Sequence, residues 1–349
     1  MADKTYRVIQ WATGTVGKTA LRHFIANPVF DLVGVYVTNP DKVGKDAGDL
    51  ADLPATGVLA TSDVEALLAL KADCLHFSPL VQDIETVCRF LRVGTNVVSP
   101  LGPVYPTSDF SQDVERIEAA CREGGTSFHG SGIHPGFVGD VLPLTLTRLS
   151  DRIDQIEVHE IADKLATPSV YIDFMGFGQD PETLLSKPNC MTGAMPAFAQ
   201  SMALLVEGLG KKIEDVTEKH EIALATKDIV YAGGVIKQGT VAGQHWEWTA
   251  WTGGVPLVVF HLYYRMGEDM EPSWNLGESR HRIIVKGDPS FEMNLMATPE
   301  ADGHRPFLGI TWTALLGTNA IPQVCEAAPG LVTNVSLGVV TPYGAVRAA

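Results

Sequence analysis

The feature that most constrains this chain is a β-branched run that leads into a glycine turn near its start. Residues 6–17 are YRVIQWATGTVG, which predicts a strand over Arg7–Trp11 and a helix over Val16–Ala26. This is a GxGxxG pattern with Ala at its first position, and such a turn brings backbone N–H groups against a pyrophosphate. The cofactor-binding residues predicted from it are Ala12, Gly14, Thr15, Val16 and Gly17.

Short β-branched runs alternate with amphipathic runs over the first 150 residues. Further strands are predicted at Asp31–Thr38, Cys74–Phe77, Asn96–Ser99 and Thr126–His129. Helices are predicted between them, and this alternation is typical of a parallel sheet covered by helices. We therefore predict an α/β fold whose residues 1–150 form a Rossmann-type, doubly wound domain.

The pattern changes from about residue 153 onwards. The segments 153–161, 218–225, 239–252, 256–266 and 280–285 predict a mostly antiparallel sheet, with a helix over 196–209. We expect an α+β substrate and dimerisation domain over 151–304, and a long helix over 307–328 that returns to complete the first domain with 305–349. One sheet face is expected to be free and too apolar to leave in water, which predicts a homodimer.

Charge and cysteine usage restrict the partners. The net charge of −15 disfavours nucleic acid, because an acidic surface repels phosphates. The cysteines Cys74, Cys88, Cys121, Cys190 and Cys325 are scattered and form no CxxC pair, which indicates reduced thiols in a cytoplasmic protein and no metal site. We expect neither a signal peptide nor a membrane span.

The end of the second predicted strand bears on the choice between NADP and NAD. It lacks the acidic residue that holds the ribose of NAD, whereas Thr38, Asn39 and Lys42 offer donors to a 2′-phosphate. We therefore expect NADP as the cofactor, with NAD as the second possibility. The alternative for Lys42 is that it is a solvated loop residue with no role in binding. Further cofactor contacts are expected where strands end, at Ser78, Pro79, Ser99, Pro100 and Gly132.

Hydride transfer also requires a group that manages a proton. His134 follows a predicted strand at the carboxyl edge of the sheet, and Tyr105 follows a neighbouring strand. Asp173 is a third candidate, with a strand-end carboxylate on a solvated face as the alternative. Glu160, Asp163 and Lys164 are expected to pair at a surface.

An apolar substrate is favoured because no arginine cluster accompanies the aromatic segments. The residues assigned to its pocket are Pro103, Phe137, Tyr171, Phe174, Phe177 and Trp248. Trp248 belongs to an aromatic stripe for which a dimer interface and core packing are alternatives.

Four segments together carry a family resemblance: the N-terminal run, 42–48, 132–137 and 319–322. They resemble the dihydrodipicolinate-reductase-like oxidoreductases, which include 2,4-diaminopentanoate dehydrogenase and the native amine dehydrogenases. The resemblance implies a Rossmann domain with an α+β domain, a homodimer, and a nicotinamide cofactor that Asn319 helps to bind. It also implies reversible reductive amination of small apolar ketones or aldehydes with ammonia.

The chain departs from this resemblance in two places. The stretch 157–164 lacks the His-His pair of true dihydrodipicolinate reductases, which argues against a role in lysine biosynthesis. Pro103 stands where amine dehydrogenases carry a glutamate that handles the ammonia proton. The alternatives to an amine dehydrogenase are therefore an imine or carbonyl reductase without efficient ammonia use, and a non-catalytic dinucleotide-binding sensor.

Overall fold

Two sheets organise the chain in the computed structural model, which describes residues 4–167, 169–186, 194–303 and 305–346. The first unit comprises 1–137 and 309–349, and the second comprises 138–308. The first unit thus ends at Phe137 rather than at the predicted boundary of 150, and the chain returns to it at Gly309.

Over the described residues, the strands are β1 (Tyr6–Trp11), β2 (Phe30–Tyr36), β3 (Ala60–Thr61), β4 (Cys74–Phe77), β5 (Asn96–Ser99), β6 (Ser127–Gly130), β7 (Arg152–Asp163), β8 (Asp215–Ala225), β9 (Ile229–Tyr231), β10 (Gly234–Ile236), β11 (Val241–Thr252), β12 (Val255–Arg265), β13 (Met270–Glu271), β14 (Arg280–Asp288), β15 (Phe291–Leu295) and β16 (Gly330–Leu331). The α-helices are α1 (Thr15–Ala26), α2 (Ala47–Ala51), α3 (Val64–Ala69), α4 (Ile84–Arg92), α5 (Ser111–Gly124), α6 (Val141–Leu146), α7 (Ser169–Met175), α8 (Pro181–Ser186), α9 (Met195–Gly208), α10 (Gly309–Glu326) and α11 (Asn334–Leu337).

The first unit is built on a parallel sheet in the order β16-β6-β5-β4-β1-β2-β3. The strand order reverses beside β1, and ligands of open α/β sheets bind at such a switch point. The predicted Rossmann-type, doubly wound sheet is confirmed, and β3 and β16 add strands of two residues each that the sequence pattern did not reveal.

Side-chain caps fix where the helices of this unit begin. Asp63 accepts a hydrogen bond from Ala66 N at 3.0 Å, and Asp83 accepts one from Thr86 N at 3.1 Å. These bonds satisfy amide groups that have no partner within the helix. The helices start immediately after both aspartates because of these caps.

The second unit contains a mixed sheet in the order β13-β8-β11-β12-β7-β14-β15. The β12–β7 pair is parallel and the other neighbours are antiparallel, which confirms the predicted mostly antiparallel α+β arrangement. Helix α9 covers one face of this sheet, where Phe198 stacks on Trp248 with ring centroids 4.7 Å apart. That face holds the unit's hydrophobic core.

The opposite sheet face carries mostly polar side chains, and its apolar residues Ile161 and Val259 are buried, so the expectation of an apolar face was wrong. We call it the histidine face. Among the side chains that alternate with the core residues on β7, β11 and β12, it bears Glu157, His159, His245, Glu247, His261 and Tyr263. Apolar surface therefore gives no reason to expect a dimer there, and the homodimer stays a prediction on the strength of the resemblance alone.

Two further expectations concern thiols and membranes. In the described part of the chain, Cys74, Cys88, Cys121 and Cys325 are free thiols, while Cys190 lies outside the described residues. Within those same residues, we find no helix with the length and apolar character that a membrane crossing requires.

Candidate active site

The turn after β1 has the geometry that a dinucleotide requires. Ala12 takes a positive φ of 70°, and a Cβ on Gly17 would lie 2.2 Å from the carbonyl oxygen of Ala12. The third glycine position is therefore enforced by close packing of the helix on the turn. A Cβ on Gly14, by contrast, would meet nothing within 4 Å. The space beside Gly14 is open, as an approaching pyrophosphate needs.

The start of helix α1 is electrostatically suited to an anion. Gly14 is its N-cap and supplies no side-chain cap, and the first turn contains no acidic residue. The amide groups of Thr15 and Val16 therefore begin a helix whose positive end is not neutralised by the chain itself. The residues present fit a dinucleotide phosphate.

Lys42 is drawn to the same turn. Its Nζ donates to Thr13 O at 3.2 Å and to Thr13 Oγ1 at 3.0 Å, so it is not merely a solvated loop residue. Asn39 caps the short 3₁₀ helix Pro40–Lys42 by accepting from Asp41 N at 2.9 Å, and Thr38 is exposed. The segment that follows β2 thus presents a cation beside the glycine turn.

A network of buried hydrogen bonds holds the glycine turn in place. Gln10 is fully buried and donates from Nε2 to Ala12 O at 2.9 Å and to Ser78 Oγ at 3.0 Å. His76 Nδ1 donates to Gln10 Oε1 at 2.9 Å, and burial lowers the pKa of His76 to about 3. Ser78, predicted to contact the cofactor, is used in this network to join the ends of β1 and β4.

The next strand ends are also constrained. Ser99 is fully buried, and its Oγ accepts from Leu101 N at 3.1 Å. Pro79 and Pro100 directly follow Ser78 and Ser99 and are both partly exposed at the carboxyl edge of the sheet. The two prolines, rather than the serines, have surface that a cofactor can reach.

The loop after β6 holds His134 in a tight turn. A Cβ on Gly136 would lie 2.6 Å from Gly132 N, and Asn334 Nδ2 donates to Gly136 O. Ile133 N donates to Thr313 Oγ1 at 3.3 Å, which ties the loop to helix α10. His134 is partly exposed, as are Phe137 and, on α10, Asn319.

The loop after β5 contains Pro103 and Tyr105. Pro103 is buried, and a Cβ on Gly130 would lie 2.3 Å from Pro103 O. Tyr105 is partly exposed. The backbone of Pro103 therefore lies against the end of β6, which explains why position 130 is a glycine.

In the second unit, Asp173 lies on a helix and not at the end of a strand. Helix α7 carries Tyr171, Asp173 and Phe174, of which Asp173 and Phe174 are exposed and Tyr171 is partly buried. Phe177 follows the helix and is only 3% exposed. The alternative of a strand-end carboxylate was therefore wrong about the element, although Asp173 does lie on a solvated face.

Trp248 belongs to the core. Its exposure is 0%, its ring stacks on Phe198, and its Nε1 donates to Glu218 Oε2 at 2.6 Å. The core-packing alternative therefore accounts for its surroundings.

A buried polar cluster at the end of β7 was not predicted. Glu160 is 5% exposed, and Tyr264 Oη donates to its Oε1 at 2.9 Å. His281 is fully buried, with Nε2 3.9 Å from Glu160 Oε2. The expectation that Glu160 pairs at a surface was wrong, because its side chain shares the core face with Ile156 and Val158.

Lys164 completes what we call the Glu160 cluster. Its Nζ lies 4.2 Å from the ring centroid of Tyr264 and 5.0 Å from that of Phe307. Burial lowers the pKa of Lys164 below its ordinary value, while the charge of Glu160 acts in the opposite direction. A buried carboxylate that accepts from a phenol can bind a cationic nitrogen and take its proton, and a desolvated amine gives up a proton more readily than an exposed one.

A sequence signal for this cluster existed. Ile156, Val158 and Glu160 are spaced by two residues, so a strand that buries the first two also buries the third. The partners Tyr264 and His281 come from β12 and β14, and only the sheet pairing brings them to Glu160.

Comparisons with known proteins agree with this fold. Residues 137–347 match the family model of the 2,4-diaminopentanoate dehydrogenase C-terminal domain. An amine dehydrogenase of Streptomyces virginiae is 31% identical over 340 residues, which cover 93% of each chain. A 2,4-diaminopentanoate dehydrogenase of Acetoanaerobium sticklandii is 24% identical over 249 residues, covering 70% of this chain and 67% of the relative.

Solved structures share the fold as well. An amine dehydrogenase from Mycobacterium smegmatis superposes with a TM-score of 0.82 and 17% identity, over 98% of this chain and 99% of that one. GenD2 from gentamicin A biosynthesis, in complex with NAD, superposes with a TM-score of 0.58 and 14% identity, over 94% of this chain and 87% of that one. At these identities the likeness concerns the fold alone.

Proposed function

Because this chain belongs to the oxidoreductase family defined by the 2,4-diaminopentanoate dehydrogenase C-terminal domain, we propose that it is an NADP-dependent amine dehydrogenase. Its substrates are small apolar ketones or aldehydes, which it aminates reversibly. A carbonyl compound, an ammonium ion and NADPH yield the amine, NADP⁺ and one water, so atoms and charge balance. The bound cofactor supplies the hydride that reduces the carbon–nitrogen double bond.

The chain's own residues bind and orient the cofactor. The open space at Gly14 and the uncapped start of α1 receive the pyrophosphate. Lys42, already at the turn through Thr13, supplies positive charge toward a 2′-phosphate, and this supports NADP over NAD. NAD remains the second possibility, as in the GenD2 complex.

The buried carboxylate of Glu160 carries the proposal of amine chemistry. An ammonium ion must lose a proton before its nitrogen can attack a carbonyl carbon, and the hydroxyl that leaves must then gain one. Glu160 accepts that first proton, and Tyr264, which donates to Glu160 Oε1 at 2.9 Å, holds the carboxylate in one orientation. Lys164 over the Tyr264 ring contributes a donor with a lowered pKa.

His134, Tyr105 and Asp173 stay candidates for proton transfer. His134 and Tyr105 belong to constrained loops at the carboxyl edge of the parallel sheet, whereas Asp173 is exposed on α7. For the apolar substrate pocket, Phe174 and Tyr171 have surface that a ligand can contact, and Phe177 and Trp248 have almost none. Partly exposed Phe137 and buried Pro103 are the other residues assigned to it.

Pro103 favours a second candidate function, an imine or carbonyl reductase that uses ammonia poorly. A buried proline offers no proton acceptor where related enzymes are expected to carry a glutamate. The two functions differ in one measurable quantity, the dependence of turnover on ammonia.

The test measures NADPH oxidation with a panel of small ketones and aldehydes, with and without ammonium. An amine dehydrogenase gives turnover only with ammonium and forms the amine. Glu160→Gln is expected to lower kcat for amination by about 10²–10⁴-fold, the usual contribution of a general base, with an unchanged Kd for NADPH.

Asp154→Asn is the matched control, because Asp154 is an exposed carboxylate on the same strand. It should leave kcat unchanged. Ammonium-independent carbonyl reduction would support the reductase instead. Full amination by Glu160→Gln would return the role to His134, Tyr105 or Asp173.

The protein is also proposed to form a homodimer, as the resemblance implies. Light scattering at micromolar concentration is expected to give twice the chain mass of 37.5 kDa. A mass of one chain would contradict the proposal.

A further inference from the structure

The histidine face of the second unit brings together three potential metal ligands from two strands. β7 and β12 run parallel, and their register sets His159 directly beside His261. Glu157 lies two residues before His159 on the same face. We propose that Glu157, His159 and His261 bind a divalent transition-metal ion of the zinc type. This site is separate from the proposed function and does not depend on it.

The distances are close to those of a metal site. One donor atom from each residue lies within 4.8 Å of the others, and His159 Nε2 is 3.4 Å from Glu157 Oε2. Two ligands at the usual ~2.1 Å from a tetrahedral zinc ion are ~3.4 Å apart, so one pair already has this spacing. The donor atom of His261 lies within 4.8 Å of the other two, and rotation of its stacked ring is needed to direct its lone pair at a shared ion.

The site is accessible but sheltered. The side chains of His159, Glu157 and His261 are 15%, 16% and 14% exposed. Each side chain thus keeps some solvent-exposed surface, while most of it is packed. The rings of His159 and His261 stack at 4.4 Å with planes 18° apart, which keeps both imidazoles on the same side of the sheet.

A chain of polar contacts orients His261. Glu221 Oε2 lies 3.3 Å from His245 Nδ1, and His245 Nε2 lies 3.1 Å from His261 Nδ1. A carboxylate accepts the proton of His245 Nδ1, so His245 Nε2 accepts in turn from His261 Nδ1–H. This assignment from the network leaves the lone pair of His261 on Nε2, ready for a metal.

The carboxylate ligand is oriented as well. Lys286 Nζ donates to Glu157 Oε1, and it also donates to Gln155 Oε1 at 2.8 Å. The other oxygen, Oε2, is the one that faces His159. Outer contacts of this kind fix metal-binding side chains in known sites.

The donor set also restricts the kind of metal. Two imidazoles and one carboxylate suit zinc, cobalt or nickel, whereas magnesium and calcium prefer oxygen ligands throughout. Three protein ligands leave a fourth tetrahedral position open. The sequence pattern gave no sign of this site, because its ligands lie about 100 residues apart and meet only through the parallel pairing of β7 with β12.

The test uses the full-length, untagged protein after dialysis against a chelator. Zinc is titrated by calorimetry, and cobalt by its visible absorption, which reports imidazole coordination. We expect saturable binding of about one ion per chain. His159→Asn and His261→Asn should each weaken binding by more than ~100-fold, because even outer contacts cost about 10–100-fold.

Three further variants sharpen the outcome. His220→Asn is the matched control, since His220 is on the opposite face of the same sheet and stacks on Trp246 at 4.5 Å. It should bind zinc as the parent does. His159→Cys should retain binding and add a sulfur–cobalt absorption band. Glu221→Gln should weaken binding by about 10–100-fold, as expected for a positioning residue.

The proposal is overturned if no saturable binding occurs, or if His159→Asn and His261→Asn bind zinc as tightly as the parent. Equal loss in His220→Asn would also overturn it, since that would indicate dispersed surface binding. The thermal unfolding midpoint of each metal-free variant shows whether it is folded, and His159→Cys tests the site if an asparagine variant is not.

Discussion

A substitution at Gly14 separates cofactor binding from folding. Gly14 has a φ of −72° and a ψ of −168°, which any residue adopts, and a Cβ there would meet nothing within 4 Å. Gly14→Val is therefore expected to fold normally. Its side chain would occupy the space in which the pyrophosphate must approach the backbone.

The two effects differ in size. Replacing glycine reduces the entropy of the unfolded chain, worth about 0.4–1 kcal/mol, and a poorer N-cap offsets a similar amount, so the free energy of unfolding should change by less than ~1 kcal/mol. Losing two charged hydrogen bonds from backbone N–H groups to phosphate costs ~3–6 kcal/mol. This corresponds to an increase of ~10²–10⁴-fold in Kd.

Calorimetric titration with NADP and with NAD gives the affinities, and chemical denaturation gives the stability. Gly17→Ala is the contrasting variant, because its Cβ would lie 2.2 Å from Ala12 O and it should lose stability as well. If Gly14→Val bound NADP within about threefold of the parent, the cofactor would not use this turn and the assignment would fail.

Four other outcomes are expected. Lys42→Ala should weaken NADP binding by about 10-fold and NAD binding by much less, by calorimetry, if Lys42 meets the 2′-phosphate; equal losses would contradict this. Pro103→Glu should raise the ammonium-dependent fraction of NADPH oxidation between pH 7 and 10, and a fall in that fraction at an unchanged melting temperature would count against it. Trp248→Ala should cost ~3–5 kcal/mol of stability without changing NADP affinity, whereas a pocket residue would show the reverse. Burial lowers the pKa of His76 to about 3 and that of His129 to about 4, below the value of histidine in the unfolded chain. The contribution of these neutral histidines to the free energy of unfolding is therefore full above the unfolded pKa, and it falls as the pH drops toward 4. The slope should be ~1.4 kcal/mol per pH unit for each of these two histidines, and a flat denaturation profile from pH 7 to 4 would refute it.

The parallel sheet could be predicted from the sequence because the patterns that indicate its strands and helices lie within short segments of the chain. The strands Cys74–Phe77 and Asn96–Ser99 have the predicted bounds, since each is a short, largely buried run next to helix α4, whose start is capped by Asp83. The turn at Gly14 was recognised for the same reason. The tiny strand β16 was not, because two residues carry no periodicity and pair only through the fold.

The side-chain clusters of the second unit required tertiary information. Asp173 was assigned to a strand because the run around it mixes aromatic and polar residues without clear periodicity. Lys42 is a second example of missing tertiary information. Its charge is evident from the sequence, but its hydrogen bond to Thr13 is not. In each case the sequence gives the type of the residue but not the residues that its side chain contacts.

The free energy that it costs to bury Glu160 is an argument that this residue has a function. A carboxylate at a core-facing strand position costs free energy unless hydrogen bonds and charges compensate for its lost hydration. An apolar residue would fit the alternation that begins at Ile156 and Val158, and it would pack against the same neighbours at lower cost. Tyr264 and Lys164 compensate in part, but both are themselves polar groups held among apolar rings. A chain gains nothing in stability from assembling three such groups, so a role in binding or proton transfer explains them better than packing does.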